Sequence, residues 1–178
     1  MEWKKHFETD RLKLRPFVEK DHEPFTDLVE DRKVVRFLSM PTLEHLKSTK
    51  HLKDYTLFKT PEGKEGLTLL IRKKEDGEFV GITGLRPNDD PDTYHFFCAL
   101  QPAYWLKGYA KEAGQVVFRY AFEEMNAKVI KAGAEGSDIA SVNFLNSMGM
   151  RMNTLAKPSL KSTIKPFELK KEDYGKRH

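Results

Sequence analysis

Residues 101–113 carry the clearest sign of a binding function in the sequence. The segment leaves an apolar strand, crosses a tight turn at Gly108 and enters a helix. Such a turn directs free backbone N–H groups, and the positive end of the helix dipole, at one point in space. Gly108 and Ala110 leave room for a bulky anion to approach the backbone, and Lys107 adds a positive charge. The segment is therefore predicted to bind a pyrophosphate group.

This turn is neither of the two commonest phosphate-binding motifs. A P-loop would end in Gly-Lys-Ser or Gly-Lys-Thr, and a dinucleotide fingerprint would place three glycines after the first strand. Taken alone, Gly108 and Ala110 are also open to a plainer interpretation, in which the glycine permits a turn and the alanine only packs. The choice between a pyrophosphate site and an ordinary turn therefore depends on the rest of the sequence.

The elements around this segment predict a mixed-sheet α/β (α+β) domain. Helices are expected to begin near Asp21, Pro41, Gly108 and Asp138. Strands and helices interleave without the regular period of a doubly wound sheet. We therefore expect one domain over residues 7–169, followed by a charged tail, residues 170–178, that frays. Strands are predicted at 11–17, 67–72, 79–85, 94–100, 129–134, 150–156 and 162–169.

The composition of the 178 residues excludes several classes of protein. The 31 Lys and Arg exceed the 27 Asp and Glu by only four, and the two signs are interleaved, so no nucleic-acid partner is expected. No apolar run reaches the 18 residues of a membrane span, and the first six residues lack the apolar segment of a secretory signal. One cysteine, Cys98, excludes an intrachain disulfide, and six scattered histidines predict no metal site. We expect a cytoplasmic protein without a membrane partner, either a monomer or a homodimer.

The pyrophosphate segment resembles a known family. Trp105-Leu106-Lys107-Gly108-Tyr109-Ala110 is similar to the acetyl-CoA-binding loop of GNAT N-acetyltransferases, whose pattern is Gln/Arg-x-x-Gly-x-Gly/Ala. Tyr-Trp-x-x-Gly-Tyr-Ala resembles in particular the ribosomal-protein N-terminal (Rim-type) subgroup. Residues 8–17 look like the opening strand of that subgroup and residues 31–38 like the exit of its first helix, with further similar segments at 120–124 and 140–149. The resemblance runs from about Phe7 to Leu169.

The resemblance implies a fold and a cosubstrate. It implies a mixed, mostly antiparallel sheet of six or seven strands with about four flanking helices, splayed between Tyr94–Leu100 and Val129–Ala134. Acetyl-CoA would enter the opening, with its pantetheine arm paired to the backbone at Ala99 and Leu100. The acceptor amine would attack the thioester directly, through a tetrahedral intermediate stabilised by a backbone N–H near Leu100. The pyrophosphate would lie on Trp105, Leu106, Lys107, Gly108, Tyr109 and Ala110.

Two residues are candidates for proton transfer. The subgroup often carries Glu on the splayed strand, and the aligned position here is His95, whose ordinary pKa near 6.5 suits a general base. The alternative is that His95 is only a half-buried strand residue. Much of the family protonates the leaving thiolate with a tyrosine, but Leu145 stands at that position. Ser141 is the nearest polar residue, and its hydroxyl could hydrogen-bond the CoA sulfur. The alternative is that this hydroxyl is bonded to its own helix backbone.

Other positions depart from the family pattern or remain open. Asp138 replaces an Asn that reaches the pantetheine; it still caps a helix, but it places a negative charge near an anionic cosubstrate. Cys98 is expected to pack and not to react. The loop after the first helix would line the acceptor pocket, with Arg36 and Phe37 as candidate contacts.

The resemblance implies that the acceptor is a protein or peptide N-terminal amine. The segment around 157–159 is short of acids, which argues against a polycationic acceptor. Two alternatives stay open at this point. The acceptor could be a small-molecule amine, or the chain could be an acyl-CoA-binding domain without catalysis.

Overall fold

The computed structural model describes residues 6–36, 38–48, 65–155 and 163–177. Within them the chain forms eight strands and six helices. The strands are β1 (Phe7–Glu8), β2 (Leu12–Arg15), β3 (Leu67–Lys73), β4 (Phe79–Pro87), β5 (Thr93–Leu100), β6 (Val129–Glu135), β7 (Arg151–Met152) and β8 (Ile164–Lys170). The helices are α1 (His22–Glu30), α2 (Arg32–Val35), α3 (Met40–Ser48), α4 (Tyr109–Glu123), α5 (Ile139–Ser147) and α6 (Lys171–Gly175).

The eight strands described form one mixed sheet in the order β1-β2-β3-β4-β5-β6-β8-β7. Every neighbouring pair is antiparallel except β5 and β6, which are parallel. The mixed, mostly antiparallel sheet is therefore confirmed. The strand count exceeds the seven predicted segments by one because β1, two residues long, adds an edge strand before the one predicted at 11–17. Of the strand predicted at 150–156, only the two residues of β7 form.

The sheet is splayed where β5 meets β6. The two strands pair only from Thr93 opposite Val129 to His95 opposite Lys131. Beyond that point β5 continues to Leu100 against β4, while β6 continues against β8. The strands therefore separate in a V that opens toward the end of β5, as the resemblance implied.

The helices cover the two faces of the sheet. On one of them, hereafter the α1 face, Phe25 of α1 and Phe97 of β5 share a buried cluster with residues of α2 and α3. On the other, hereafter the α4 face, Phe118 of α4 and Leu145 of α5 share a cluster with Phe96 of β5. Successive strand side chains point to opposite faces. Odd-numbered residues of β5 therefore lie on the α1 face and even-numbered ones on the α4 face.

A buried ion cluster joins the first two long strands to the start of α1. The Asp21 carboxylate is fully buried and accepts hydrogen bonds from Arg15 of β2 at 2.7 and 3.0 Å and from Arg72 of β3 at 2.8 Å. The backbone N–H of Val18 donates to the same carboxylate at 2.8 Å. Burial alone would raise the pKa of Asp21, but the arginine hydrogen bonds outweigh it and the pKa is lowered.

The tail beyond residue 169 differs from the expectation that it frays. Lys170 completes β8, and α6 follows at once. The ring of Tyr174 stacks on Phe122 of α4, with the ring centroids 4.7 Å apart and the planes 25° from parallel. An aromatic contact of this kind stabilises a segment whose charged composition alone gives no sign of order.

The helices of the described residues include none with the length and apolar character that a membrane span needs.

Candidate active site

The predicted pyrophosphate loop lies between the end of β5 and the start of α4. Gly108 immediately precedes α4 with φ +82°, a left-handed conformation that glycine adopts without strain. Leu106 has φ +59°, which is unusual for a residue with a side chain, and that side chain is 93% exposed. No side chain in the described part of the chain caps the N terminus of α4. The first-turn N–H groups of a 15-residue helix thus have no side-chain acceptor, as an anion site requires.

Arg11 and Glu112 connect this loop to the turn between β1 and β2. Arg11 donates from Nε to Glu112 Oε2 at 2.7 Å and from Nη1 to the carbonyl oxygen of Lys107 at 2.9 Å. Its guanidinium carbon lies 4.3 Å from the centroid of the Tyr109 ring. Thr9 donates a further hydrogen bond to Glu112. Arg11 therefore fixes both sides of Gly108.

The same contacts set the charge of Glu112. Burial alone would raise the pKa of the carboxyl group, but hydrogen bonds from Thr9 and Arg11 outweigh it, so the pKa is lowered. Glu112 is ionised at neutral pH and offsets the charge of Arg11. Lys107, which is exposed, is left as the cation nearest the turn on the loop itself.

Trp105 fixes the other end of the loop to the strand. Its indole Nε1–H donates to the carbonyl oxygen of Leu100 at 2.8 Å, and its ring packs between the buried clusters of both faces. Trp105, Leu100 and the turn at Gly108 are thus brought together, as the sequence predicted for a single cosubstrate site.

The backbone groups that face the gap between β5 and β6 can be assigned from the β4–β5 ladder. The N–H of Asn88 donates to the oxygen of Thr93 at 3.0 Å, and the N–H of Gln101 to the oxygen of Val80 at 2.9 Å. Alternate residues of an antiparallel strand bond to the same neighbour. Odd-numbered residues of β5 therefore direct their N–H and C=O groups to β4, and even-numbered ones direct theirs to the gap.

This alternation changes which residues can pair with a pantetheine arm. Ala99 directs its backbone groups to Ile82 of β4, so a strand added in the gap would meet Cys98 and Leu100 instead. The Leu100 carbonyl accepts the Trp105 hydrogen bond, and the Leu100 N–H faces the gap. The resemblance implied an oxyanion donor at Leu100, and that role stays a prediction.

His95 lies at the apex of the V. It is the last residue of β5 that pairs with β6, and its odd number puts its side chain on the α1 face. Arg86 of β4 is its register partner on one side and Lys131 of β6 on the other. Burial, with the charges of Arg86 and then Lys131, lowers the pKa of His95 to about 4. The imidazole is therefore neutral at pH 7 and is a weaker base than its ordinary pKa of about 6.5 predicts.

Ser141 and Asp138 lie together at the start of α5. Asp138 caps the helix: its Oδ1 accepts the backbone N–H of Ser141 at 3.2 Å, and its Oδ2 accepts the Ser141 hydroxyl at 2.8 Å. Both side chains are half-buried. Leu145, at the position of the family's tyrosine, is buried in the core of the α4 face.

The remaining candidates are spread over the fold. Burial raises the pKa of the Cys98 thiol to about 12, so the group stays protonated and packs rather than reacts. Arg36 is exposed directly after α2, which packs into the cluster of the α1 face. Phe37 and residues 157–159 lie outside the described residues. In the described part of the chain, no group of three or more His, Cys, Asp or Glu side chains could hold a metal ion.

Sequence reasoning missed Arg11, Glu112 and Arg86. Arg11 lies at the start of the strand predicted at 11–17 and Glu112 in the helix predicted after Gly108, but they meet across a separation of 101 residues. Arg86 could be put on a strand from its apolar neighbours, but its place beside His95 depends on the register. Only covariation between such positions could have shown either contact.

An uncapped helix N terminus that follows a central strand, beside a gap in a mixed sheet, agrees with an acyl-CoA-dependent transferase. The model of the acetyltransferase (GNAT) domain family matches residues 11–151, which is most of the chain. The chain therefore belongs to the GNAT acetyltransferase family, and the protein is an N-acetyltransferase enzyme. The matched range contains the loop, the splayed strands and α5.

Relatives agree with this assignment. The chain is 26% identical over 146 residues to the uncharacterized N-acetyltransferase YnaD of Bacillus subtilis, covering 82% of each chain. It is 24% identical over 173 residues to the uncharacterized N-acetyltransferase p20 of Bacillus licheniformis, covering 94% of this chain and 97% of the relative. None of these matches distinguishes the Rim-type subgroup, which stays a prediction.

Solved structures show the same fold. A GNAT-family acetyltransferase from Bacillus anthracis superposes with a TM-score of 0.71 at 20% identity, covering 94% of this chain and 99% of that one. Spermidine N-acetyltransferase from Vibrio cholerae, in complex with CoA and spermine, superposes with a TM-score of 0.69 at 16% identity, covering 93% and 99%.

Proposed function

We propose that the protein transfers the acetyl group of acetyl-CoA directly to an acceptor amine in a ternary complex, and that the acceptor is a protein or peptide N terminus. The observation that carries the proposal is the gap between β5 and β6, with the anion-binding turn at its open end and His95 at its apex. A linear cosubstrate bound at the turn and along the gap would bring its thioester toward that apex. Trp105–Ala110 would hold the pyrophosphate, and Cys98 and Leu100 would pair with the pantetheine arm.

His95 is the proposed acceptor of the amine proton. A bond forms between the amine nitrogen and the thioester carbonyl carbon, while the oxyanion accepts the Leu100 N–H. The attacking nitrogen becomes more acidic once it is bonded to that carbon, which eases the transfer of its proton to the weakly basic imidazole of His95. The carbon–sulfur bond then breaks, and CoA leaves as a thiolate, which is then protonated.

Ser141 is the proposed partner of the leaving sulfur, but its contacts limit that role. The Ser141 hydroxyl donates to Asp138 Oδ2 at 2.8 Å, within the first turn of α5. Protonation of the thiolate by Ser141 requires the hydroxyl to turn toward the sulfur. A Ser141→Ala variant that loses turnover but keeps its CoA affinity would favour the catalytic role; unchanged turnover would leave Ser141 only as a hydrogen-bond partner of the capping Asp138.

The test is an acetyl-CoA consumption assay, which reads the free CoA thiol, across peptides with different N termini and a set of small amines. Mass spectrometry should show the acetyl group on the α-amine. His95→Ala should lower kcat/KM by at least about tenfold at neutral pH. His6→Ala, an exposed histidine outside the site, is the matched control. An unchanged rate in His95→Ala would remove His95 from the mechanism.

A small-molecule amine is the second candidate acceptor, because a structural neighbour is a spermidine N-acetyltransferase. The same assay separates the two, since turnover of small amines without turnover of any peptide favours this candidate. Calorimetry covers the remaining alternative. CoA binding without turnover of any amine would mean an acyl-CoA-binding domain.

A further inference from the structure

Three side chains on adjacent strands form a row at the apex of the gap, hereafter the apex row: Arg86, His95 and Lys131. The register pairs Arg86 of β4 with His95 of β5, and His95 with Lys131 of β6. Directly paired residues on neighbouring strands have Cβ atoms about 5 Å apart. Strand alternation puts all three side chains on the α1 face, the face opposite α4 and α5.

Among the described residues, Arg86 is the charged member of this row without a counterion. Its Nε donates to the buried hydroxyl of Thr42, on α3, at 3.2 Å. In the part of the chain that the structure describes, no carboxylate lies within ion-pair distance of its guanidinium. Lys131, in contrast, pairs with Asp90 at 3.1 Å.

The partly buried environment of Arg86 makes an uncompensated charge there energetically unfavourable. The side chain is half-buried, and burial lowers the pKa of the guanidinium, an effect that the charge of Asp89 only partly offsets. A cation removed from water is unfavourable unless an anion compensates it. The hydrogen bond to Thr42 holds Nε, so the outer nitrogens of the guanidinium are the ones left to bind an anion.

We propose that the acceptor carries a carboxylate close to its reactive α-amine, and that this carboxylate binds Arg86 while the amine lies against His95. This inference rests on the proposed function. Its substrate class is an α-amino acid or a peptide with an acidic N-terminal residue. In either case amine and carboxylate are only a few bonds apart, which matches the spacing of two side chains on neighbouring strands.

The charges around the apex row also disfavour a polycationic acceptor. The two charged groups that perturb His95 from its neighbouring strands are both positive. Among the described residues, Glu168 of β8 is the nearest acid in the same row, but Lys131 stands between it and His95, and Glu168 accepts a hydrogen bond from Asn153 at 3.3 Å. A polyamine would therefore meet cations first, whereas a peptide N terminus, with a pKa near 8 instead of above 10, is more readily bound as the neutral nucleophile.

The first experiment uses the wild-type enzyme alone. We compare kcat/KM for matched pairs of acceptors that differ only in the carboxylate: aspartate against its diamide, glutamate against its diamide, and Asp-initiated peptides against the Asn-initiated ones. The acid should be preferred by about 10- to 100-fold, the range of a charge-assisted hydrogen bond. An amide has the less basic amine, so the amine pKa biases the comparison against this result. Free amino acids and peptides form separate arms and identify the source of the carboxylate.

The second experiment uses Arg86→Gln, with Arg86→Lys as the charge-retaining variant. The acid-to-amide ratio of kcat/KM should fall toward 1 in Arg86→Gln and stay well above 1 in Arg86→Lys. Circular dichroism and the melting temperature report whether each variant is folded, and the wild-type comparison stands even if a variant is not.

The outcomes separate this inference from the function on which it rests. If the enzyme acetylates amines but kcat/KM is no higher for the acid than for its amide, the inference is overturned and acetyl transfer stands. A higher kcat/KM for spermidine than for the acids has the same consequence. An unchanged ratio in folded Arg86→Gln also overturns it. No transfer to any amine overturns the proposed function itself.

Discussion

Arg11 and Glu112 form an ion pair between the β1–β2 turn and the first turn of α4, with Nε and Oε2 2.7 Å apart. The backbone N–H of Arg11 donates to Oε1 of the same carboxylate at 2.8 Å. A Cβ atom added to Gly108 would lie 3.3 Å from Arg11 Nη2. The pair therefore holds the turn against the sheet, and its role is to position the loop.

Removal of this pair should weaken acetyl-CoA binding more than it slows chemistry. Arg11→Ala loses the hydrogen bond to the Lys107 carbonyl and the contact with Tyr109, so the loop N–H groups lose their alignment. We expect KM for acetyl-CoA to rise by about 5- to 30-fold, as for loss of one or two charge-assisted hydrogen bonds, with a smaller change in kcat. Steady-state kinetics at saturating acceptor measures both.

The control for this prediction is Lys13→Ala, an exposed residue of β2 two positions from Arg11, whose ammonium group lies 3.8 Å from Glu8. The double variant with Glu112→Gln should be little worse than Arg11→Ala, because the two side chains act as one unit. Fully additive effects would mean that the pair does not act through the loop.

The turn and helix start at Gly108 could be predicted from sequence because their parts are close together in the chain. Lys107, Gly108 and Ala110 lie within four positions, so helix geometry alone brings their backbone groups together. The apex row could not be predicted in the same way. Arg86 and His95 become neighbours only through the β4–β5 register, which local patterning does not specify to the residue.

The base strength of His95 illustrates the same limit. Sequence supplies the imidazole and its ordinary pKa, but the shift to about 4 comes from burial and from cations on two other strands. For the tail, the sequence predicted too little order: the charged composition of residues 170–178 predicted that the segment frays. The contact between Tyr174 and Phe122 depends on tertiary packing, which composition does not report.

Asp138→Asn should strengthen CoA binding. Asparagine caps a helix as well as aspartate, and it can still accept the Ser141 N–H, so α5 should be preserved. The change removes a negative charge near an anionic cosubstrate. We expect Kd for CoA to fall by about 2- to 10-fold at low ionic strength and by less at high salt, because salt screens a partly exposed charge. Titration calorimetry at two salt concentrations measures the Kd for CoA of both proteins. If Asp138→Asn binds CoA at low salt no more tightly than the wild type, Asp138 is remote from the bound cosubstrate.

Asp21→Asn should destabilise the fold without a matching effect on the site. The substitution leaves the guanidinium groups of Arg15 and Arg72 without their shared carboxylate in a buried position. Loss of one member of a buried ion cluster costs about 3–5 kcal/mol. Urea denaturation measures the free energy of unfolding, and Asp10→Asn, at an exposed position, is the control. A loss below about 1 kcal/mol would mean that water already solvates this cluster.

His95 should make the stability of the protein depend on pH in a defined window. Its pKa is about 4 in the folded chain and about 6.5 in the unfolded chain. Between these values the unfolded state binds a proton that the folded state does not, so the free energy of unfolding falls as the pH falls from about 6.5 to 4. In His95→Gln this contribution disappears, and the melting temperature should decline less over the same window.

Wild-type kcat/KM should show no inflection near pH 6.5 from His95, because the imidazole is already neutral there. An NMR titration that puts the His95 pKa near 6.5, identified by the signal missing in His95→Gln, would contradict both expectations and restore a general base of ordinary strength.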